Sequence, residues 1–188
     1  MGELTMLIRR AQKGDEAARN AVFNQLYGEL QKLARIRLAR GGRNTLLDTC
    51  ALVNETYIRL AQAGGFEPED RGRYLAYASQ AMRSVIVDFV RARRAARRGG
   101  GAAHITLNTE ITEKVSSGAE EILRVHEALD ELAGIDERVV TVVEMRYFAG
   151  LTEQEVAEAL GLSDRTVRRV WEKARLMLAA ALAVKRGG

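Results

Sequence analysis

The residues with the clearest chemical purpose lie between Leu151 and Leu178, LTEQEVAEALGLSDRTVRRVWEKARLML. Ser163 is placed to cap a helix whose first turn holds Asp164. That helix carries Arg165, Thr166, Arg168, Arg169 and Lys173 outside an apolar stripe of Val167, Val170, Trp171, Ala174 and Leu178. A face of this kind, Arg and Lys beside short polar side chains, can donate to phosphate oxygens and to base edges in a major groove. The helix before it is equally well specified. Thr152 and Glu155 have the spacing of a capping box, Leu151 can staple onto Val156, and Gly161 supplies the positive φ that ends the helix, with Leu162 folding inward. Two short helices on a tight glycine turn, the second cationic outside, imply a DNA-reading helix-turn-helix. An Arg-rich solvated face alone would say little; its coincidence with cap, turn and stripe carries the inference.

The rest of the chain must position that unit. Across 188 residues apolar types make up 47% and aromatics 5%, with one Pro, a composition dominated by helix formers. The expected fold is all-α, with two small helical domains joined by a flexible linker and the helix-turn-helix in the C-terminal one. Lys and Arg number 29 against 25 Asp and Glu, a net charge of +4. The surplus is concentrated in the reading helix and in an acid-free run of Arg91, Arg93, Arg94, Arg97 and Arg98.

Cys50 is alone, which rules out an internal disulfide and fits a reducing, cytoplasmic setting. His104 and His126 have no neighbouring pattern of metal ligands or nucleophile pairs, so no metal, cofactor, small-molecule substrate or enzymatic role is expected. Glu120 with Glu121, and Glu153 with Glu155 and Glu158, read as solvated faces or caps rather than acid–base dyads. The longest apolar run, Leu176 to Val184, falls short of the roughly 20 residues that span a bilayer, and the N-terminus lacks a basic-then-apolar leader, so no membrane association is expected.

Along the chain, Leu4, Leu7, Ile8 and Ala11 mark a short helix ending near Gly14, and Asp15 can cap a long one with Val22, Leu26, Leu30 and Leu33 on one face, ending at Gly41 and Gly42. A third helix is expected from a cap at Asp48 to about Ala63, with Val53, Tyr57 and Leu60 inward. After a loop over 64–72, a fourth runs from about Arg73 to Arg98 with the stripe Tyr74, Ala78, Ala81, Val85 and Phe89. Residues 1–98 form the first expected domain. Helical periodicity lapses over residues 99–118, which begin with three glycines, and these are read as the linker. Residues 119–188 form a second domain of four helices, opening with Ile122, Val125, Leu129 and Leu132 on one face.

This arrangement resembles bacterial sigma factors of the extracytoplasmic-function (ECF) class, and the resemblance covers nearly the whole chain. The segment from Ala128 to Leu178 is similar to the family's promoter-reading domain, whose last helix enters the major groove of the minus-thirty-five element. Thr166 to Trp171 matches the T-V-x-R-x-W form of that helix found in one subfamily. LVNETYIRL, from Leu52, resembles the helix that grips the clamp helices of the polymerase beta-prime subunit, and YLAYASQAMRSVIVDFVRARRAARRGG, from Tyr74, resembles the helix that meets the minus-ten element.

The resemblance implies a non-enzymatic factor that binds core RNA polymerase, through the beta-prime clamp helices and the beta flap, and directs initiation at promoter DNA. It assigns minus-thirty-five contacts to Ser163, Arg165, Thr166, Arg168, Arg169 and Lys173, minus-ten contacts to Tyr77, Arg83, Ser84, Arg91 and Arg94, and polymerase contacts to Asp48, Thr49, Leu52 and Glu55. Arg83, Arg91 and Arg94 lie on or near one side of a helix, where they can follow phosphates, while Tyr77 can stack on an unpaired base. Tyr74 belongs to the apolar stripe and reads as core. Ser84 stands where the family often has Asn, and Asp88 reads as an ion-pair partner within the Arg-rich helix. The loop from Phe66 to Arg73 falls where the family captures a flipped base.

One departure bears on control. The family's clamp-gripping helix usually opens with several acids, in a pattern like D-A-E-D-L-V-Q-E, whereas this chain has Asp48, Thr49, Cys50, Ala51, Leu52, Val53, Asn54 and Glu55. Two acids are replaced by Cys50 and Ala51. A phosphate on Thr49, the first residue of a helix capped by Asp48, would restore negative charge at the favourable dipole end, so a Ser/Thr protein kinase is one expected regulator and an anti-sigma factor another. Cys50, among apolar neighbours, reads as packing rather than as an oxidant sensor. The competing reading is a helix-turn-helix regulator that binds operator DNA without being a polymerase subunit.

Overall fold

The computed structural model describes residues 3–40, 49–62, 70–98 and 109–184. Among these, every regular element is helical: α1 (Glu3–Gln12), α2 (Glu16–Arg40), α3 (Thr49–Gln62), α4 (Arg71–Arg98), α5 (Thr109–Ala133), α6 (Glu137–Val143), a π-helical turn (Glu144–Phe148), α7 (Glu153–Leu160) and α8 (Asp164–Val184).

Short-range hydrogen bonds set several of these boundaries. Gly14, at φ +88°, turns the chain out of α1. Asp15 then accepts the Ala18 amide at 3.0 Å and the Arg10 guanidinium at 2.7 Å, capping α2 as its position in the sequence suggests. Those two donors, the amide first, hold its carboxyl below the usual range. Asp70 caps α4 in the same way, accepting the Arg73 amide at 2.8 Å, so the helix starts at Arg71 rather than near Arg73. The proposed caps and ends at Asp48, Gly41 and Gly42 lie outside the described residues.

The expected inward residues of α2 and α3 are only partly those that are deepest. Leu30, Leu33 and Ala34 are buried in α2, and Leu52, Val53, Thr56 and Leu60 in α3. Tyr57 stays half-buried, edge-on to Tyr27 at 6.2 Å between ring centroids. Tyr74 is core, and its hydroxyl donates to the Leu26 carbonyl at 2.8 Å, which fixes α4 against α2.

The largest difference from the periodicity concerns α4. A single stripe is expected on this helix, but Tyr74, Leu75, Ala78, Ser79, Met82, Arg83, Val85, Ile86, Val87 and Val90 are all buried, an arc far wider than one packing face needs. The cause is that α4 is covered from two sides. It packs on α3 in the N-terminal half and on α5, the π turn and α7 in the C-terminal half. One continuous cluster of buried apolar residues therefore runs from Leu30 to Ala174 through α4.

Helix α5 begins at Thr109, ten residues inside the stretch over 99–118 read as linker; residues 99–108 lie outside the described part. Thr, Ser and Gly lower the propensity of this stretch without forbidding helix, and a helix already anchored at Val125, Leu129 and Leu132 can propagate back through it. Past Gly134, Asp136 caps α6 by accepting the Val139 amide at 3.2 Å. The π turn follows, closed by a bond of 3.1 Å from the Ala149 amide to the Glu144 carbonyl, and it turns Glu144, Met145 and Phe148 all inward.

A candidate nucleic-acid interface

The turn between α7 and α8 is built as the sequence specifies. Thr152 accepts the Glu155 amide at 3.2 Å while the Glu155 carboxylate accepts the Thr152 amide at 2.9 Å, the two halves of a capping box. The Thr152 amide is the largest of the influences that lower the pKa of Glu155. Leu151 and Val156 are both buried beside this cap. Gly161 takes the left-handed conformation, φ +64° and ψ 33°, and the Leu162 amide returns to the Ala157 carbonyl at 2.9 Å. Ser163 then accepts the Thr166 amide at 3.2 Å, and the two hydroxyls lie 2.8 Å apart.

Val167 and Ala174 anchor α8 in the core, with Val170, Trp171 and Leu178 packed against it. This leaves Ser163, Arg165, Arg168, Arg169 and Lys173 exposed and Thr166 half-buried, so the six candidate residues of this helix lie at or near the surface. Two of the cations are held in place. Arg168 pairs with Glu153 at 3.2 Å, and Lys173 pairs with Asp136 at 2.6 Å, where it is the first cause of the lowered pKa of that carboxyl.

Sequence reasoning missed two further cations. Arg138 joins Asp136, Arg169, Val170 and Lys173 around a cleft of about 460 Å³, so α6 adds positive charge beside α8. Arg146 lies over the Trp171 ring at 4.8 Å and pairs with Glu153 at 3.1 Å. Neither is legible from spacing, because each acquires its role from a helix distant in sequence.

The candidates on α4 separate. Tyr77, Ser84, Arg91 and Arg94 are exposed. Arg83 is buried, so the three arginines do not share one surface. Its guanidinium donates to Glu144 at 2.9 Å, to Asp130 at 2.6 Å, to the His126 carbonyl at 2.8 Å and, through Nε, to His126 Nδ1 at 3.1 Å. Burial raises the pKa of Glu144 against the lowering influence of Arg83. His126 is shifted down, by burial first and then by Arg83.

A second network joins α3 to α4. The Arg59 guanidinium donates to the Ser84 hydroxyl and pairs with Glu55 at 3.3 Å and with Asp88 at 3.0 Å. Asp88 is thus an ion-pair partner, as expected, but one bridged to α3 rather than within its own helix. Of the polymerase-contact candidates, Glu55 is exposed and Leu52 is fully buried, a core residue not presented at the surface. Thr49 is the first residue of α3, but its side chain, like those of Arg97 and Arg98, lies outside the described part, as do Asp48 and residues 63–69 of the loop before α4.

Cys50 is exposed, not packed, because it lies on the outer side of the first turn of α3. Among the described residues no group of His, Cys, Asp and Glu could hold a metal ion, and no helix is long and apolar enough to cross a membrane.

A family model described as ECF sigma factor matches residues 1–184 of this chain. No curated protein and no solved structure matches it.

Proposed function

The chain belongs to the ECF sigma factor family, whose members are non-catalytic factors of transcription initiation, and from that premise we propose how its own residues serve the task. Binding of core RNA polymerase and promoter DNA follows from the family. The assignment of residues is our reading.

Helix α8 enters the major groove of the minus-thirty-five element in this reading, with Arg165, Arg168, Arg169 and Lys173 meeting phosphates and base edges and the capped turn at Gly161 and Ser163 fixing its angle. The observation that carries it is the exposure of these cations on one helix, capped by Ser163. Arg138, beside Arg169 and Lys173, extends the surface for the phosphate backbone. On α4, Tyr77, Ser84, Arg91 and Arg94 meet the minus-ten element, and α3 docks on the beta-prime clamp helices through Glu55 and its first turn.

That first turn contains no acid, and this supports the kinase reading. Phosphorylation of Thr49 would place close to two negative charges at the N-terminus of α3, where the helix dipole favours them and a basic polymerase surface would attract them. Run-off transcription with purified core polymerase tests the main assignment, and specific initiation is the expected result. A chain that footprints a site alone and never initiates would be an operator-binding regulator instead. Core-polymerase affinities of wild type, Thr49→Ala and Thr49→Glu test the switch: it predicts tighter binding by Thr49→Glu and by phosphorylated wild type, and equal affinities would remove it.

A further inference from the structure

One guanidinium ties the π turn to both helices of the reading unit. Arg146 lies over the Trp171 ring of α8 at 4.8 Å, and its Nη1 stands 3.1 Å from Oε1 of Glu153 in the first turn of α7. Nε and Nη1 of Arg146 are buried and hydrogen-bond to no described residue, so the ring face and the charge of Glu153 are what balance this cation. The π turn makes the reach possible, because it sends Glu144, Met145 and Phe148 inward and leaves Arg146 half-buried against α7 and α8.

The other oxygen of Glu153, Oε2, accepts from Nε of Arg168 at 3.2 Å. Glu153 is thus shared between a sheltered arginine, 20% exposed, and one that is 65% exposed and faces solvent. A carboxylate beside an incoming phosphate repels it and competes with it for Arg168. Arg146 removes both obstacles, since a carboxylate that keeps one arginine can give up the other.

We propose that Arg146 is a positioning residue for reading the minus-thirty-five element: held in place by the Trp171 ring, it neutralises Glu153 so that Arg168 can pass from that carboxylate to a DNA phosphate. The proposal rests on the reading of α8 above. Lysine at this position keeps the charge near Glu153 and loses the flat face over the ring, whereas methionine keeps an apolar stem against Trp171 and loses the charge.

The test uses the full chain bound to core polymerase, on the duplex that wild type selects from a pool randomised at the minus-thirty-five element and on a scrambled duplex. Arg146→Met should bind the selected duplex roughly tenfold more weakly, the worth of one hydrogen bond to a charged group, with a salt dependence shallower by about one phosphate contact. Adding Glu153→Gln should restore most of that affinity, and Arg146→Lys should keep most of it. Trp171 is the only tryptophan in the sequence, so its emission in the free chain should shift in both Arg146→Met and Arg146→Lys and report the stack apart from the charge. An Arg146→Met chain that binds as well as wild type overturns the proposal. So does a loss that neither Glu153→Gln recovers nor Arg146→Lys avoids, which would make Arg146 a folding residue alone, and so does an emission that stays unshifted in both variants. A wild type that selects no duplex overturns the reading of α8 and this proposal with it, whereas a wild type that discriminates beside variants that break the expected pattern overturns only the role of Arg146.

Discussion

A Cβ placed on Gly72 would stand 1.9 Å from the carbonyl oxygen of Ala159, closer than any real contact of that kind. In an isolated helix Gly→Ala is favourable by about 1 kcal/mol. Gly72→Ala is therefore expected to stabilise α4 locally and yet loosen its packing on α7. Hydrogen exchange should be faster at the amides of α7 and slower or unchanged in the first turns of α4. Slower exchange in both would mean that the contact accommodates a methyl group.

The Arg83 cluster should respond to pH through His126, whose Nδ1 accepts from Arg83 and must be unprotonated to do so. Its pKa lies below the ordinary 6.5 because of burial and Arg83, with Arg91 adding in the same direction and Asp130 and Glu127 opposing. Stability from a depressed histidine is present above the ordinary value and lost as pH falls through the lowered one. Glu144 has the opposite slope: its raised pKa gives stability that is full below the ordinary 4.5 and declines as pH rises through the raised value. Replacing Glu144 by Gln should remove that opposition. The Glu144→Gln chain is expected to lose stability against urea more steeply than wild type as pH falls below the ordinary histidine value of 6.5 toward the lowered one, and His126→Gln in the same background should flatten the curve.

On α8, Arg169 and Arg168 are expected to differ in kind. Arg169 lines the cleft with Arg138 and Lys173, whereas Arg168 is already paired with Glu153. Arg169→Ala should weaken minus-thirty-five binding by about 1 to 3 kcal/mol if it reads a base edge. Arg168→Ala should cost less and flatten the dependence on salt. Titration against cognate and scrambled duplexes at several salt concentrations separates the two, and a uniform loss for Arg169→Ala across sequences would make it a phosphate contact.

The capping box of α7 is a stability element independent of DNA. Thr152→Ala removes an acceptor for the Glu155 amide and should destabilise by about 0.5 to 2 kcal/mol. Thr152→Ser should recover most of that. Chemical denaturation of the three chains measures it.

These caps were legible because each is a bond between residues three apart, written in Thr152 with Glu155, Ser163 with Thr166 and Asp15 with Ala18. The glycine turn at Gly161 was legible for the same reason. The fate of Arg83 was not: its partners lie 43 to 61 residues away, and nothing near it in sequence tells an arginine destined for phosphate from one held by Glu144. Leu52 failed similarly, since a resemblance locates a docking helix but not which of its sides faces in. Arg138 gained its place beside Arg169 only through the packing of α6 on α8. The start of α4 was within reach, because Asp70 has the same relation to Arg73 as Asp15 has to Ala18.

Because α4 is sheathed on both sides, heat cannot melt one half of the chain without stripping apolar surface from the other. A single calorimetric endotherm is the corollary. A fragment cut after Arg98 would carry the uncovered flank of α4 into water, and aggregation is its natural fate.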